Sequence, residues 1–178
     1  MRCGQQKKLL KNMMEMLNNF KSNFNVVLFS PEIPHNTGNI IRLCANTGVI
    51  LHLIRPIHFD LDDRKLRRAA LDYRDLQKVK IHDSFPSFLS VETPSRLIAT
   101  SPEGKQVYTD IKYTLNDYLL FGSESSGLPI NILKMISSKN IVKLPMMPNN
   151  RSLNISNVVA ILIYEAWKQI GFRGSSKA

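Results

Sequence analysis

Apolar residues along this chain cluster in short continuous runs, and the stretches between them carry apolar positions at helical spacing. Val26-Val27-Leu28-Phe29 is a run of the buried-strand type. Leu51-His52-Leu53-Ile54, Val79-Lys80-Ile81, Arg96-Leu97-Ile98-Ala99-Thr100, Tyr118-Leu119-Leu120-Phe121 and Ile141-Val142-Lys143-Leu144 read as further strands. Helices are predicted over 39–47, around 84–90, over 130–136 and from 155 to 170. Pro31 and Pro34 exclude a helix interior just after the first strand, and Gly48 is suited to end the first helix. Asp62-Asp63 opens a further, basic helix with acids in its first turn and Arg64, Lys65, Arg67 and Arg68 behind them.

Strands that alternate with helices, and that are apolar throughout, define an α/β class. The expected architecture is a mostly parallel sheet with helices on both faces. A chain of 178 residues fits one domain, expected over 25–178. Residues 1–24 form an extension in which Lys7, Lys8 and Lys11 alternate with Met and Leu. A short amphipathic helix, a frayed end and an upstream start codon all account for it, and the extension is expected to be flexible.

In a parallel sheet, ligands sit beyond the carboxyl ends of the strands, so the loops that follow strands hold the candidate chemistry. The first such loop ends in Asn36-Thr37-Gly38-Asn39-Ile40-Ile41-Arg42. Gly38 permits a close backbone approach, Asn39 can cap the helix, and Arg42 then lies one turn in, on the side of the loop. An ordinary capped turn with a solvated arginine explains the same residues. The second loop, Gly122-Ser123-Glu124-Ser125-Ser126-Gly127-Leu128-Pro129, lets backbone amides approach a ligand, with Glu124 available to a cationic or hydroxylated group. A plain strand-to-helix turn is the alternative, and neither phosphate-binding glycine fingerprint is present. The third loop runs through Met146, Met147 and Asn149-Asn150-Arg151-Ser152-Leu153-Asn154-Ile155-Ser156. One Asn or Ser is enough to cap the helix that follows, so the surplus of polar groups points toward a ligand.

Charge and composition change this picture only a little. The formal charge is +10, but +4 of it lies in residues 1–24 and +3 in 168–178, leaving +3 for the body. A polyanionic partner is therefore suggested less by the total than by Arg64, Lys65, Arg67 and Arg68, with Tyr73 and Arg74 beyond them able to stack and pair with RNA. A solvated helix face is the bland reading of that stretch. Cys3 and Cys44 have no metal-ligand spacing, Cys44 reads as a buried thiol, and the four histidines form no linear cluster, so no metal is expected. No stretch reaches the roughly 18–20 apolar residues that span a bilayer, and no secretory signal is evident, so a cytoplasmic protein with no membrane partner is expected.

Taken together, the three loops resemble the motifs of the SPOUT superfamily of RNA methyltransferases, in particular its small single-domain members that modify the tRNA wobble nucleotide. The resemblance covers about 25–171. It is closest over Pro-Glu-Ile-Pro-His-Asn-Thr-Gly-Asn-Ile-Ile-Arg at 31–42, in Leu66-Arg67-Arg68 with Leu71-Asp72-Tyr73, and in Tyr164-Glu165-Ala166-Trp167. It implies S-adenosylmethionine-dependent methylation of a ribose 2′-hydroxyl in the tRNA anticodon loop, at cytidine or uridine 34, with S-adenosylhomocysteine as product and no metal. It further implies a C-terminal trefoil knot and a homodimer. The cofactor is expected against Thr100, Gly122, Leu144 and Ser152, with Met146 and Leu153 nearby. The resemblance makes Arg42 the catalytic group, with Asn36, Glu124 and Asn154 as polar partners. An arginine has a pKa above about 12, so its expected task is to orient a phosphate or to stabilise alkoxide charge. The middle of the second loop departs from the family pattern, with Ser126 where an arginine or another bulky residue is common. Methylation at another tRNA or rRNA position, and a non-catalytic RNA-binding role on the same fold, remain the alternatives. A nucleotide-cofactor oxidoreductase lacks its glycine fingerprint here.

Overall fold

The computed structural model describes residues 23–60 and 79–176. The basic stretch with Arg64, Lys65, Arg67 and Arg68, together with Tyr73 and Arg74, lies outside the described residues, as do residues 1–22. The chain enters β1 (Asn25–Phe29), crosses by α1 (Pro34–Thr47) to β2 (Ile50–Ile54), and continues to β3 (Val79–His82). Then come α2 (Phe85–Glu92), β4 (Leu97–Thr100), β5 (Gln106–Val107) and β6 (Tyr118–Phe121). The last elements are α3 (Ile130–Met135), a 3-10 turn at Ser138–Asn140, β7 (Ile141–Lys143) and α4 (Ile155–Gln169). Among the described residues no helix is long and apolar enough to cross a membrane.

The described strands make one seven-stranded sheet in the order β3-β2-β1-β6-β4-β7-β5, and every pairing is parallel. Its apolar runs are explained by burial on two sides. Val26, Leu28, Leu51, Leu53, Leu119 and Phe121 point to one face, where they meet Ile40, Ile41 and Cys44 of α1 and Val159, Leu162, Ile163 and Trp167 of α4. Val27, Ile54, Ala99 and Leu120 point to the other face and pack on Phe85 and Phe88 of α2 and Ile132 of α3. Each such side chain contributes roughly 1.5–3 kcal/mol when fully buried, so both layers are fixed by the alternation itself. Cys44 is a buried free thiol whose pKa is pushed up by burial, as expected of a small core residue.

Two sequence expectations need correction. The first helix begins at Pro34, not Asn39, because proline occupies its first turn, where the missing N–H has no intrahelical partner to lose. Gly38 and Asn39 are therefore helical interior, and Arg42 lies two turns in instead of one. Gly48 ends the helix in the left-handed conformation, φ 67°, as expected. The two-residue strand β5, too short for a periodic signal, was not anticipated; it pairs only with β7.

The strand order creates the site. Neighbours β1 and β6 send their connections to opposite faces, β1 into α1 and β6 into α3. The two departing loops must part, and a crevice opens at the carboxyl end of the sheet where they do so.

Candidate functional site

At this end of the sheet lies a cleft of about 480 Å³, walled by the loops after β4, β6 and β7 and by the start of α4, with Ile33 and Asn36 contributed from the β1 side. Its size falls within the roughly 300–1,000 Å³ of small-molecule sites. All six expected cofactor positions (Thr100, Gly122, Leu144, Met146, Ser152 and Leu153) line it. So do Asn36, Glu124 and Asn154, whereas Arg42 is not among the lining residues.

Glycine is required in the wall. A Cβ on Gly122 would lie 2.0 Å from the carbonyl carbon of Gly127 and 2.2 Å from the nitrogen of Leu128. The loop folds back this closely because Ser123 and Gly127 exchange backbone hydrogen bonds at 3.2 and 3.0 Å, with Gly127 at a positive φ of 68°. Ser123 and Ser126 share a hydroxyl contact of 2.8 Å inside the turn. The small side chain at Ser126, noted above as a departure, is what lets this contact form.

Three residues far apart in sequence form one relay. The Asn36 side-chain amide donates to Glu124 Oε1 at 3.0 Å, and Asn154 Nδ2 donates to Asn36 Oδ1 at 2.9 Å. Asn154 Oδ1 in turn accepts from the backbone N–H of Ser156 at 2.8 Å and from its hydroxyl at 2.6 Å, capping α4. Glu124 also accepts the backbone N–H groups of Glu32 at 2.9 Å and Ile33 at 3.3 Å. Its carboxylate therefore serves the first loop while also lining the cleft.

A second acid, Glu32, was not singled out by sequence. Its carboxylate accepts the Ser125 hydroxyl at 2.7 Å and the Ser125 backbone N–H at 3.1 Å. The hydrogen bond from that hydroxyl holds the Glu32 carboxyl below its ordinary value. The signal available in the sequence was an acid between two prolines with no basic residue nearby to pair with it.

Arg42 sits on α1 with its Nε buried and without a hydrogen-bond partner. Thr37 Oγ1, on the same helix, is likewise buried and unpartnered. Buried polar atoms without a partner are uncommon in protein interiors.

Linear spacing also missed a cluster on the opposite half of the sheet. His52, His82 and Glu92 bring three potential metal-ligand atoms within 4.8 Å of one another. The two imidazoles are nearly parallel, with centroids 5.3 Å apart and Nδ1 of His52 3.0 Å from Nε2 of His82. Rings reach that combination only edge to edge, with the N–H of one facing the lone pair of the other. A proton arrangement satisfying the set has His82 Nε2–H donating to His52 Nδ1, and His52 Nε2–H donating to Asn25 Oδ1 at 3.3 Å. Lys80 Nζ donates to both Glu92 oxygens, at 3.0 and 2.9 Å. The arrangement is a hydrogen-bonded pair beside an ion pair. Burial pushes the His52 pKa down to about 4 and lowers that of His82.

The sequence that builds this sheet and cleft matches a known family. Residues 23–164 fit the model of the SpoU rRNA Methylase family, and the chain belongs to that family. It is 51% identical, over 85% of its length and 99% of the relative's, to a tRNA (cytidine(34)-2'-O)-methyltransferase of Saccharophagus degradans. It also superposes, with a TM-score of 0.76 and 41% identity over 83% of this chain and 91% of the other, on a structure described as giving insights into the 2-OH methylation of C/U34 on tRNA. A further neighbour is the SpoU methyltransferase AviRb of Streptomyces viridochromogenes in complex with the cofactor AdoMet. It has a TM-score of 0.74 and 25% identity, over 84% of this chain and 58% of that one.

Proposed function

We propose that the protein is a tRNA (cytidine/uridine 34)-2′-O-methyltransferase that takes its methyl group from S-adenosylmethionine. The observation that carries this reading is 51% identity across 99% of a relative named tRNA (cytidine(34)-2'-O)-methyltransferase, and the uridine alternative is supported by the similar structure concerned with C/U34. The cleft fits the donor on its own terms. It combines apolar walls at Leu144, Met146 and Leu153 with a glycine turn that no side chain can enter. Thr100, Gly122, Leu144 and Ser152 would hold the donor with Met146 and Leu153 covering it.

When bound, S-adenosylmethionine would supply an electrophilic methyl carbon to the ribose oxygen, leaving S-adenosylhomocysteine, with the hydroxyl proton passing to water. The chain's own residues fix the attack line. Glu124, Asn36 and Asn154 lock the three loops to one another and to the start of α4, and alignment of this kind can contribute about 7–11 kcal/mol to barrier reduction. Arg42 is assigned to the RNA side, pairing with a phosphate or stabilising charge on the ribose oxygen. Its unpartnered Nε supports that assignment. Arg64, Lys65, Arg67 and Arg68 would add phosphate contacts to the anticodon loop.

The working unit in this reading is a single domain over 25–178, acting as a cytoplasmic homodimer where its tRNA is found. Ile161 and Tyr164, exposed on α4 away from the core, support coverage by a second copy. Insertion of β7 between the earlier strands β4 and β5 supports the threaded, knotted C-terminal path. The test uses synthetic anticodon stem-loops with ribose or 2′-deoxyribose at position 34. Methyl transfer to the ribose form alone is expected; equal transfer to both would replace the ribose with a base as acceptor.

A further inference from the structure

Glu32 lies in the 31–42 segment but was given no role there, yet it makes half of a reciprocal clasp. The first loop gives its backbone N–H groups at Glu32 and Ile33 to Glu124, and the second loop gives the backbone N–H and hydroxyl of Ser125 to Glu32. Two loops about ninety residues apart are thus tied by a carboxylate on each side, each accepting from the other loop. The arrangement holds because donors from the facing loop satisfy each carboxylate, N–H groups at Glu124 and an N–H with an O–H at Glu32. Such charge-assisted bonds are about twice as strong as neutral ones.

The consequence falls on the cleft. Glu124, Ser125 and Ser126 form the tip of the second loop and line one wall. The base of that loop is fixed by the Ser123–Gly127 bridge and the Ser123–Ser126 hydroxyl contact. Ser125 has neither, and its backbone N–H and its hydroxyl are both committed to Glu32. The side of the clasp that runs through Glu124 also orders Asn36, whereas the side that runs through Glu32 reaches Ser125, with a lesser contribution from the Ser123 side chain. The two acids therefore divide the labour, Glu124 toward the relay and Glu32 toward the donor pocket.

We infer that Glu32 is a positioning residue for methyl-donor binding, which holds the Ser125 segment of the cleft wall in its binding shape. This rests on the proposed methyl-donor site. Removing the carboxylate leaves the first-loop amides on Glu124 intact but frees the wall, so the donor must order it on binding.

The test is calorimetric titration of S-adenosylmethionine, with steady-state kinetics on tRNA, for the wild type and for Glu32→Ala, Glu32→Gln and Ser125→Ala. Glu32→Ala is expected to weaken donor binding by about tenfold, the loss of one to two charge-assisted bonds. KM for the donor should rise while kcat changes by less than about threefold and the melting temperature holds. Glu32→Gln keeps one acceptor oxygen for Ser125 and should recover most of the affinity. Ser125→Ala should show a smaller loss that does not add to that of Glu32→Ala. Donor affinity in Glu32→Ala equal to wild type overturns the inference, as does a loss that only accompanies a fall in melting temperature. Should Glu32→Ala fail to fold, Ser125→Ala decides alone, and wild-type affinity there overturns it. A wild-type protein that takes up no donor at all would instead refute the proposed function.

Discussion

Glu124 and Asn36, 88 positions apart in the chain, are joined by a hydrogen bond of 3.0 Å from the amide of one to the carboxylate of the other. Through Asn36 that bond reaches Asn154 and the first turn of α4, so one carboxylate sets the relation of three loops. Glu124→Ala leaves the Asn36 amide and two backbone N–H groups without their acceptor. Unsatisfied donors of this kind cost about 1–3 kcal/mol. A lower denaturation midpoint is expected, with kcat/KM reduced by roughly 10²-fold because the attack line is loosened. Wild-type kinetics in this variant would remove the relay from the account.

Gly122→Ala should be more severe than its single methyl suggests. The added carbon would meet backbone, not a side chain that can turn away, at 2.0 and 2.2 Å. The loop must open, and donor binding measured by calorimetry is expected to fall below detection while the helices remain by circular dichroism. Retained micromolar affinity would mean that the turn is not part of the donor site.

Arg42→Lys keeps the charge and removes the planar fork. A role in orienting a phosphate or spreading charge from the ribose oxygen needs that fork, so turnover is expected to fall at least about 100-fold with folding unchanged. Near-normal turnover would leave Arg42 with no fork-dependent role in the reaction.

Acid sensitivity should originate on the other side of the sheet. His52 is buried and neutral, its pKa lowered to about 4 by desolvation, against an ordinary value near 6.5 when unfolded. The unfolded chain therefore takes up a proton before the folded one. Stability from this group is complete above about pH 6.5 and is lost as the pH falls toward 4, by an amount on the order of 3 kcal/mol. Lys80 and His82 act in the same direction as desolvation, and Glu92 opposes it. Urea midpoints measured from pH 7.5 to 4 should fall across that window, and His52→Gln should flatten the fall while starting lower. An unchanged slope in the variant would place the acid-labile groups elsewhere.

Much of the fold was legible because its strands are apolar throughout and alternate with helices, which requires cover on both faces: Val26 and Leu28 meet α1, and Val27 meets α2. The cleft walls were legible too, since loops after strands in a parallel sheet can meet only at one edge. What escaped was set by contacts with no linear signature. Pro34 looked like a barrier to helix but is a first-turn residue, which displaced Arg42 by a turn. His52 and His82 are 30 positions apart and meet only because β2 and β3 are neighbours. Glu32 becomes functional through Ser125, a partner that no spacing in the chain could name.

The central claim is that three loops at one edge of the sheet hold a methyl donor against a ribose of the anticodon loop. Its most direct test is incubation of the purified protein with isotopically labelled S-adenosylmethionine and total tRNA lacking the modification, followed by mass-spectrometric mapping of the labelled nucleotide. Label is expected on the ribose 2′-oxygen of nucleotide 34. Label on a base, at another position, or nowhere despite a folded protein would contradict it.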